Sequence, residues 1–149
     1  MAETVISGTL PPSPLRILLA DDFGMVREAV KDLLAGRPDD WFVCGESANG
    51  LDVLEKVREL KPDVVLLDLS VPGKSGVEVA KILEKEYPGS TIILMSAQDP
   101  AMLKRIASMA RVELFVSKSS LAMELVPLLE RISHRRHSGP QALAASPRV

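Results

Sequence analysis

The stretch "DVVLLDLSVPGKSG", residues 63–76, runs apolar up to a carboxylate, Asp68, and then turns through Pro and Gly. An apolar run with no polar alternation is what a strand buried on both faces requires, the situation of a parallel sheet. A charge at the tip of the most hydrophobic strand needs a reason. Either Asp68 is an ordinary turn residue, or the strand exists to hold it.

Four other segments have strand character: "RILLA" (16–20), "WFVCGES" (41–47), "TIILMSA" (91–97) and "LFVSK" (114–118), with 63–69 as the third of five. Helical periods fill the gaps. Val26, Ala29, Val30, Leu33 and Leu34 form one stripe, and Val53, Leu54, Val57 and Leu60 a second. Val79, Ile82 and Leu83 form the third, and Met102, Leu103, Ile106 and Ala110 the fourth. Leu121, Leu125, Leu128, Leu129 and Ile132 form the last. Asp99 before Pro100 matches a capping residue followed by Pro at the first helical position. Pro127 sits inside the fifth stripe and is expected to kink or delay that helix. Five alternations of strand and helix predict an open, doubly wound α/β sheet with five parallel strands and five helices over residues 15–132. Residues 1–14 read as a flexible arm, and 133–149 as a linker or disordered tail. Within that tail "HRRH" (134–137) reads as a solvated basic helix end complementing the helix dipole, with contact to an acidic partner or a phosphate as the other reading.

The chain of 149 residues suffices for one domain with a real core. A net charge of −2 gives no general nucleic-acid-binding surface, and 3% aromatic residues offer few base-stacking platforms. Cys44 is the single cysteine, which excludes an intramolecular disulfide or a cysteine metal cluster, fits a cytoplasmic setting and reads as a small buried strand residue. No signal-peptide pattern and no run of membrane-spanning length is seen.

In doubly wound sheets the ligand site lies at the carboxyl ends of the strands. Asp21 and Asp22 follow strand one, Asp68 and Ser70 strand three, Ser96 ends strand four and Lys118 ends strand five. If strands one, three, four and five adjoin, these side chains share one cleft. Three carboxylates at close range repel, and a divalent cation relieves the conflict. Hard oxygen ligands without nearby Cys or His suit Mg²⁺. With Mg²⁺ and Lys118 present, a phosphoryl group can be held while a carboxylate attacks it to give an acyl phosphate.

The chain resembles the receiver domain of two-component response regulators over residues 15–132. "ILLADDFGMVREAV" is similar to the family's acidic-pair opening. "VVLLDLSVPGKSGVEVA" is similar to its phospho-acceptor stretch, with Pro72 and Gly76 in place. "IILMSAQD" and "LFVSKSS" match its strand-four hydroxyl and strand-five lysine motifs. The resemblance implies a flavodoxin-like fold and a role for each position. Asp68 would accept the phosphoryl group. Asp22 would bind Mg²⁺ directly and Asp21 through water, with the Ser70 carbonyl as a further ligand. Ser96 and Lys118 would contact the phosphoryl oxygens, and Ser96 and Phe115 would form the switch. A histidine kinase or phosphotransfer protein would be the donor. The face of helix four, strand five and helix five would bind a downstream protein or a second copy. No enzymatic turnover beyond the domain's own phosphorylation and dephosphorylation is implied.

"GESANG" and "KSS" lean toward the transcription-factor subgroup, yet no helix-turn-helix pattern follows residue 132, so direct DNA binding has no carrier. "RVEL" (111–114) stands where many relatives carry Gly-Ala and another Gly, and a differently shaped segment is expected there. Phe115 reads equally as a core residue. Three other functions fit the residues less well. An aspartyl phosphatase of the haloacid-dehalogenase type needs a second acid two residues after the nucleophile, where Ser70 stands. A flavodoxin needs a hydroxyl- and Gly-rich phosphate loop after strand one, where "ADDFG" presents carboxylates. A receiver-like scaffold that signals without phosphate has the intact set Asp22, Asp68, Ser96 and Lys118 against it.

Overall fold

The computed structural model describes residues 13–70 and 75–138. Along them run β1 (Leu15–Ala20), α1 (Gly24–Leu34), β2 (Trp41–Ser47), α2 (Gly50–Leu60), β3 (Val64–Asp68), α3 (Gly76–Glu86), β4 (Thr91–Ser96), α4 (Pro100–Met109), β5 (Leu114–Ser117) and α5 (Leu121–Ser138). The five strands form one parallel sheet in the order β2-β1-β3-β4-β5. This is the flavodoxin-like arrangement expected from the alternating pattern, with strands one, three, four and five adjoining.

Period-two alternation along each strand divides the core between the two faces. Ile17, Leu19, Val64, Leu66, Ile93, Met95 and Val116 pack under α1 and α5. Leu18, Ala20, Val65, Leu67, Ile92 and Leu94 pack under α2, α3 and α4. This is why the central strands read as unbroken apolar runs. The helix stripes fall where their periods place them, with two exceptions: Ala29 is exposed, and Met102 is 41% exposed on α4. The Asp99 side chain accepts the Met102 N–H at 3.0 Å and caps α4 just ahead of Pro100, as its sequence predicts.

Three local features differ from the sequence reading. First, α5, with Pro127 inside it, starts at Leu121 without delay and runs on to Ser138, beyond residue 132. Pro127 lies on the solvent-exposed side of the helix, where it interrupts no core contact. Second, the basic end of α5 is used internally: Arg136 donates to Asp63 Oδ1 at 2.8 Å, and Asp63 Oδ2 accepts the Arg16 N–H at 2.9 Å. These bonds tie the helix end to the entry of β3. Third, Cys44 lies at a register shift where Ile17 pairs with Val43 and Leu18 with Gly45, and it is half-buried rather than buried. Burial pushes its thiol pKa up. The arm residues 1–12 and the tail 139–149 lie outside the described residues.

The "RVEL" segment closes α4. The Val112 N–H reaches back to the Ala107 carbonyl at 2.8 Å, and the Arg111 N–H to the Ser108 carbonyl at 3.1 Å. This is a Schellman closure, with Val112 buried at 4% exposure as its apolar contact. The motif demands a left-handed residue, and Arg111 supplies it at φ 61°. Glycine adopts that conformation without the Cβ clash an L side chain meets. Arg111→Gly is therefore expected to raise the unfolding free energy by roughly 0.5–1 kcal/mol. Urea denaturation should show it as a higher midpoint at unchanged slope.

Candidate functional site

The strand register sets the site. Asp68 pairs with Met95 on β4, and Ser96 pairs with Ser117 on β5, so the tips of these strands end nearly level. One residue past β1, the Asp21 N–H extends the ladder to the Ser47 carbonyl on β2 at 3.0 Å. Asp21 and Asp68 are buried at 0% and 1% exposure, while Asp22 is exposed. One carboxylate oxygen from each of the three lies within 4.8 Å of the others. Lys118 reaches in from the end of β5, its Nζ 2.8 Å from Asp21 Oδ2 and 3.2 Å from Asp68 Oδ2. The structure thus brings together Asp21, Asp22, Asp68 and Lys118 as the sequence predicts.

The electrostatics follow from burial and contact. Burial disfavours the Lys118 ammonium, but the carboxylates of Asp21 and Asp68 outweigh it, and its pKa is raised above the usual lysine range. Against one ammonium stand three carboxylates, so the cluster is left two negative charges in excess. Asp21 Oδ2 and Asp68 Oδ2 are buried and, though ion-paired with Lys118, lack a partner in hydrogen-bonding geometry. Converging hard oxygens with unused lone pairs fit a small divalent cation such as Mg²⁺.

The remaining predicted residues hold local bonds. Ser70 donates from its N–H at 3.2 Å to Asp68 Oδ1, with its hydroxyl 3.3 Å from the same oxygen. Ser96 is buried at 4% exposure, and its Oγ accepts the Gln98 N–H at 3.0 Å. That leaves its O–H to donate. Phe115 is half-buried, level with Leu94 and packed against the α2–α4 side of the core. It is neither a fully buried core residue nor a free surface ring. The turn containing Val71 and Pro72 lies outside the described residues.

Sequence reasoning missed two supports of this site. Ser117 accepts the Ser119 N–H at 3.3 Å and starts the short turn of 3-10 helix, Lys118–Ser120, that carries the lysine. Arg27 donates to the Asp21 carbonyl at 2.6 Å. Neither has a motif of its own, because each acts through backbone atoms that any residue provides. Gly76 had such a signal, and the structure gives its reason. A Cβ there would lie 2.6 Å from Leu69 Cα and 2.7 Å from the Leu69 oxygen, in the backbone leading from Asp68 to Ser70.

A family model for the response regulator receiver domain matches residues 17–130, and the chain belongs to that family. Over 118 residues it is 31% identical to the chemotaxis protein CheY of Thermotoga maritima, a match covering 79% of this chain and 97% of that one. Over 142 residues it is 30% identical to a protein-glutamate methylesterase/protein-glutamine glutaminase of the same organism, covering 91% of this chain. The chain spans 41% of that relative's length. Among solved structures it is similar to the signal receiver domain of the putative response regulator NarL from Mycobacterium tuberculosis. That likeness has a TM-score of 0.73 and 30% identity, and covers 83% of this chain and 98% of that one. A LuxR-family two-component response regulator from Aurantimonas matches with a TM-score of 0.73 and 31% identity, covering 82% of this chain and 86% of that one. Such kinship puts the chain among phosphorylation-based signalling proteins of two-component systems.

The Gly76 contact yields a prediction. Gly76→Ala forces a Cβ into the Leu69 backbone, and overpacking of this kind costs about 1–3 kcal/mol. Thermal unfolding should show a midpoint lower by several degrees, whereas the same change at Gly89, where nothing lies within 4 Å, should leave the midpoint nearly unmoved.

Proposed function

We propose that Asp68 accepts a phosphoryl group from a histidine kinase or phosphotransfer protein, and that the resulting aspartyl phosphate changes what the domain binds. The observation that carries this reading is the buried Asp68 carboxylate, facing Lys118 at 3.2 Å beside Asp21 and Asp22. An Asp68 oxygen attacks phosphorus, the bond to the donor nitrogen breaks, and the acyl phosphate remains on the strand tip. Lys118 pairs with one phosphoryl oxygen, and the Ser96 hydroxyl donates to another. Asp22, Asp68 and the Ser70 carbonyl would hold Mg²⁺, with Asp21 acting through water. The ion would neutralise charge on the transferring group.

The output follows from Ser96 and Phe115. Drawing Ser96 toward the phosphoryl group opens room for the half-buried Phe115 ring to turn inward. The face of α4, β5 and α5 then binds a downstream protein or a second copy. Met102 on α4 and Met123 on α5 are 41% and 78% exposed, which supplies apolar contact area on those helices. A clean two-way switch requires about 5.5 kcal/mol of differential stabilisation. A cytoplasmic setting goes with this reading, as does the single free Cys44. Among the described residues no helix is long and apolar enough to cross a membrane. The chain's own phosphorylation and dephosphorylation are the reactions proposed for it.

Incubation with Mg²⁺ and acetyl phosphate, followed by intact mass measurement, tests the assignment. Wild type should gain one phosphoryl group, and chelation with EDTA or the change Asp68→Asn should abolish the gain. A wild type without adduct, or an Asp68→Asn protein that still carries it, refutes the reading.

A further inference from the structure

We propose that Arg27 is a positioning residue for the acid pair, clamping the Asp21–Asp22–Phe23 turn so that its carboxylates meet Asp68. The inference rests on reading that cluster as a Mg²⁺-dependent phosphoryl-acceptor site. Asp22 is exposed, so its position is set by the backbone of the turn. Arg27 grips both ends of that turn. Its guanidinium Nη1 donates to the Asp21 carbonyl at 2.6 Å, and its backbone N–H donates to the Phe23 carbonyl at 3.2 Å. Phe23 offers no side-chain cap to α1, so the helix start depends on other bonds.

Arg27 is itself anchored. Its Nε donates to Glu46 Oε1 at 2.9 Å, while Lys31 Nζ reaches Glu46 Oε2 at 2.8 Å. Lys56 Nζ donates to the Glu46 carbonyl at 2.6 Å. Together Lys31 and Arg27 hold the Glu46 carboxyl below its ordinary pKa. The next residue, Ser47, offers the carbonyl that receives the Asp21 N–H at 3.0 Å. Both backbone groups of Asp21 are therefore fixed to one assembly joining α1, β2 and α2. A planar guanidinium spans a carboxylate and a carbonyl at once, which an ammonium point charge does less well. The competing account is an ordinary surface ion pair, worth about 0–1 kcal/mol and irrelevant to the site. The bond to the Asp21 carbonyl separates the two. Partners that orient metal ligands typically account for about 10–100-fold in metal affinity.

The test compares the wild-type chain with Arg27→Met, which keeps the apolar stem, and with Arg37→Met as a control. Arg37 makes ion pairs to Asp40 at 2.8 Å and Glu130 at 2.6 Å, away from the acid pair. Calorimetric titration with Mg²⁺ should show Kd weakened about tenfold or more in Arg27→Met. Arg37→Met should lower only the thermal midpoint. Should Arg27→Met fail to fold, Glu46→Gln removes the charged anchor and is expected to shift Kd in the same direction. An unchanged Kd in a folded Arg27→Met, or equal weakening in Arg37→Met, overturns the inference. A wild type that neither binds Mg²⁺ nor gains a phosphoryl group overturns the site reading on which it rests.

Discussion

Two carboxylates buried side by side at the edge of a sheet are the constraint on which the rest of this molecule depends. Asp21 and Asp68 are almost fully shielded from water, and a buried charge costs several kcal/mol unless it is compensated. Lys118 compensates both at once, within 3.2 Å of each. It can do so only because β1 and β3 are neighbours and β5 stands two places beyond β3. Asp21 and Asp68 already outnumber the one ammonium, and Asp22 brings the excess to two negative charges. The cluster is thus poised: stable enough to fold around one ammonium, and anionic enough to suit a divalent cation.

Rigidity is what the fold contributes to this cluster. The strands that carry the acids are buried on both faces, and their residues interlock with α1 and α5 on one side and with α2, α3 and α4 on the other. Displacing Asp68 along the strand would move every neighbouring side chain to the wrong face. The loops are pinned by separate devices. Ser47 and Arg27 hold the turn after β1, and the close approach of Gly76 to Leu69 seats the segment after β3. Ser117 starts the turn that presents Lys118. At the opposite edge, Arg136 and Asp63 fasten the last helix to the entry of β3.

Much of this was legible in the chain itself. Strand type, the five stripes and the residues at the strand tips are recorded as local patterns of side-chain character. Side chains that act on backbone atoms were not legible. Arg27 looks like any helix cation, and nothing in "FGMVREAV" says that its guanidinium reaches a carbonyl six positions back. The extension of α5 past residue 132 was hidden for a related reason. Residues 133–138 lack an apolar period, and Arg136 finds its partner 73 positions away in sequence.

What the sequence by itself determined was the inventory and its order: five strands, of which the first, third, fourth and fifth carry Asp21, Asp68, Ser96 and Lys118 at or just beyond their tips. It determined this because period and composition are properties of neighbours along the chain. Only the tertiary structure decided which tips meet. Strand order places β1 beside β3, the β3–β4 and β4–β5 registers set Ser96 level with Ser117 one step beyond Asp68, and burial separates the shielded Asp21 from the exposed Asp22. Arg111 makes the same point: its left-handed backbone is imposed by the closure of α4, against the preference of its own side chain. Distances across a sheet and conformations forced by packing arise from long-range contacts, and no local pattern encodes them.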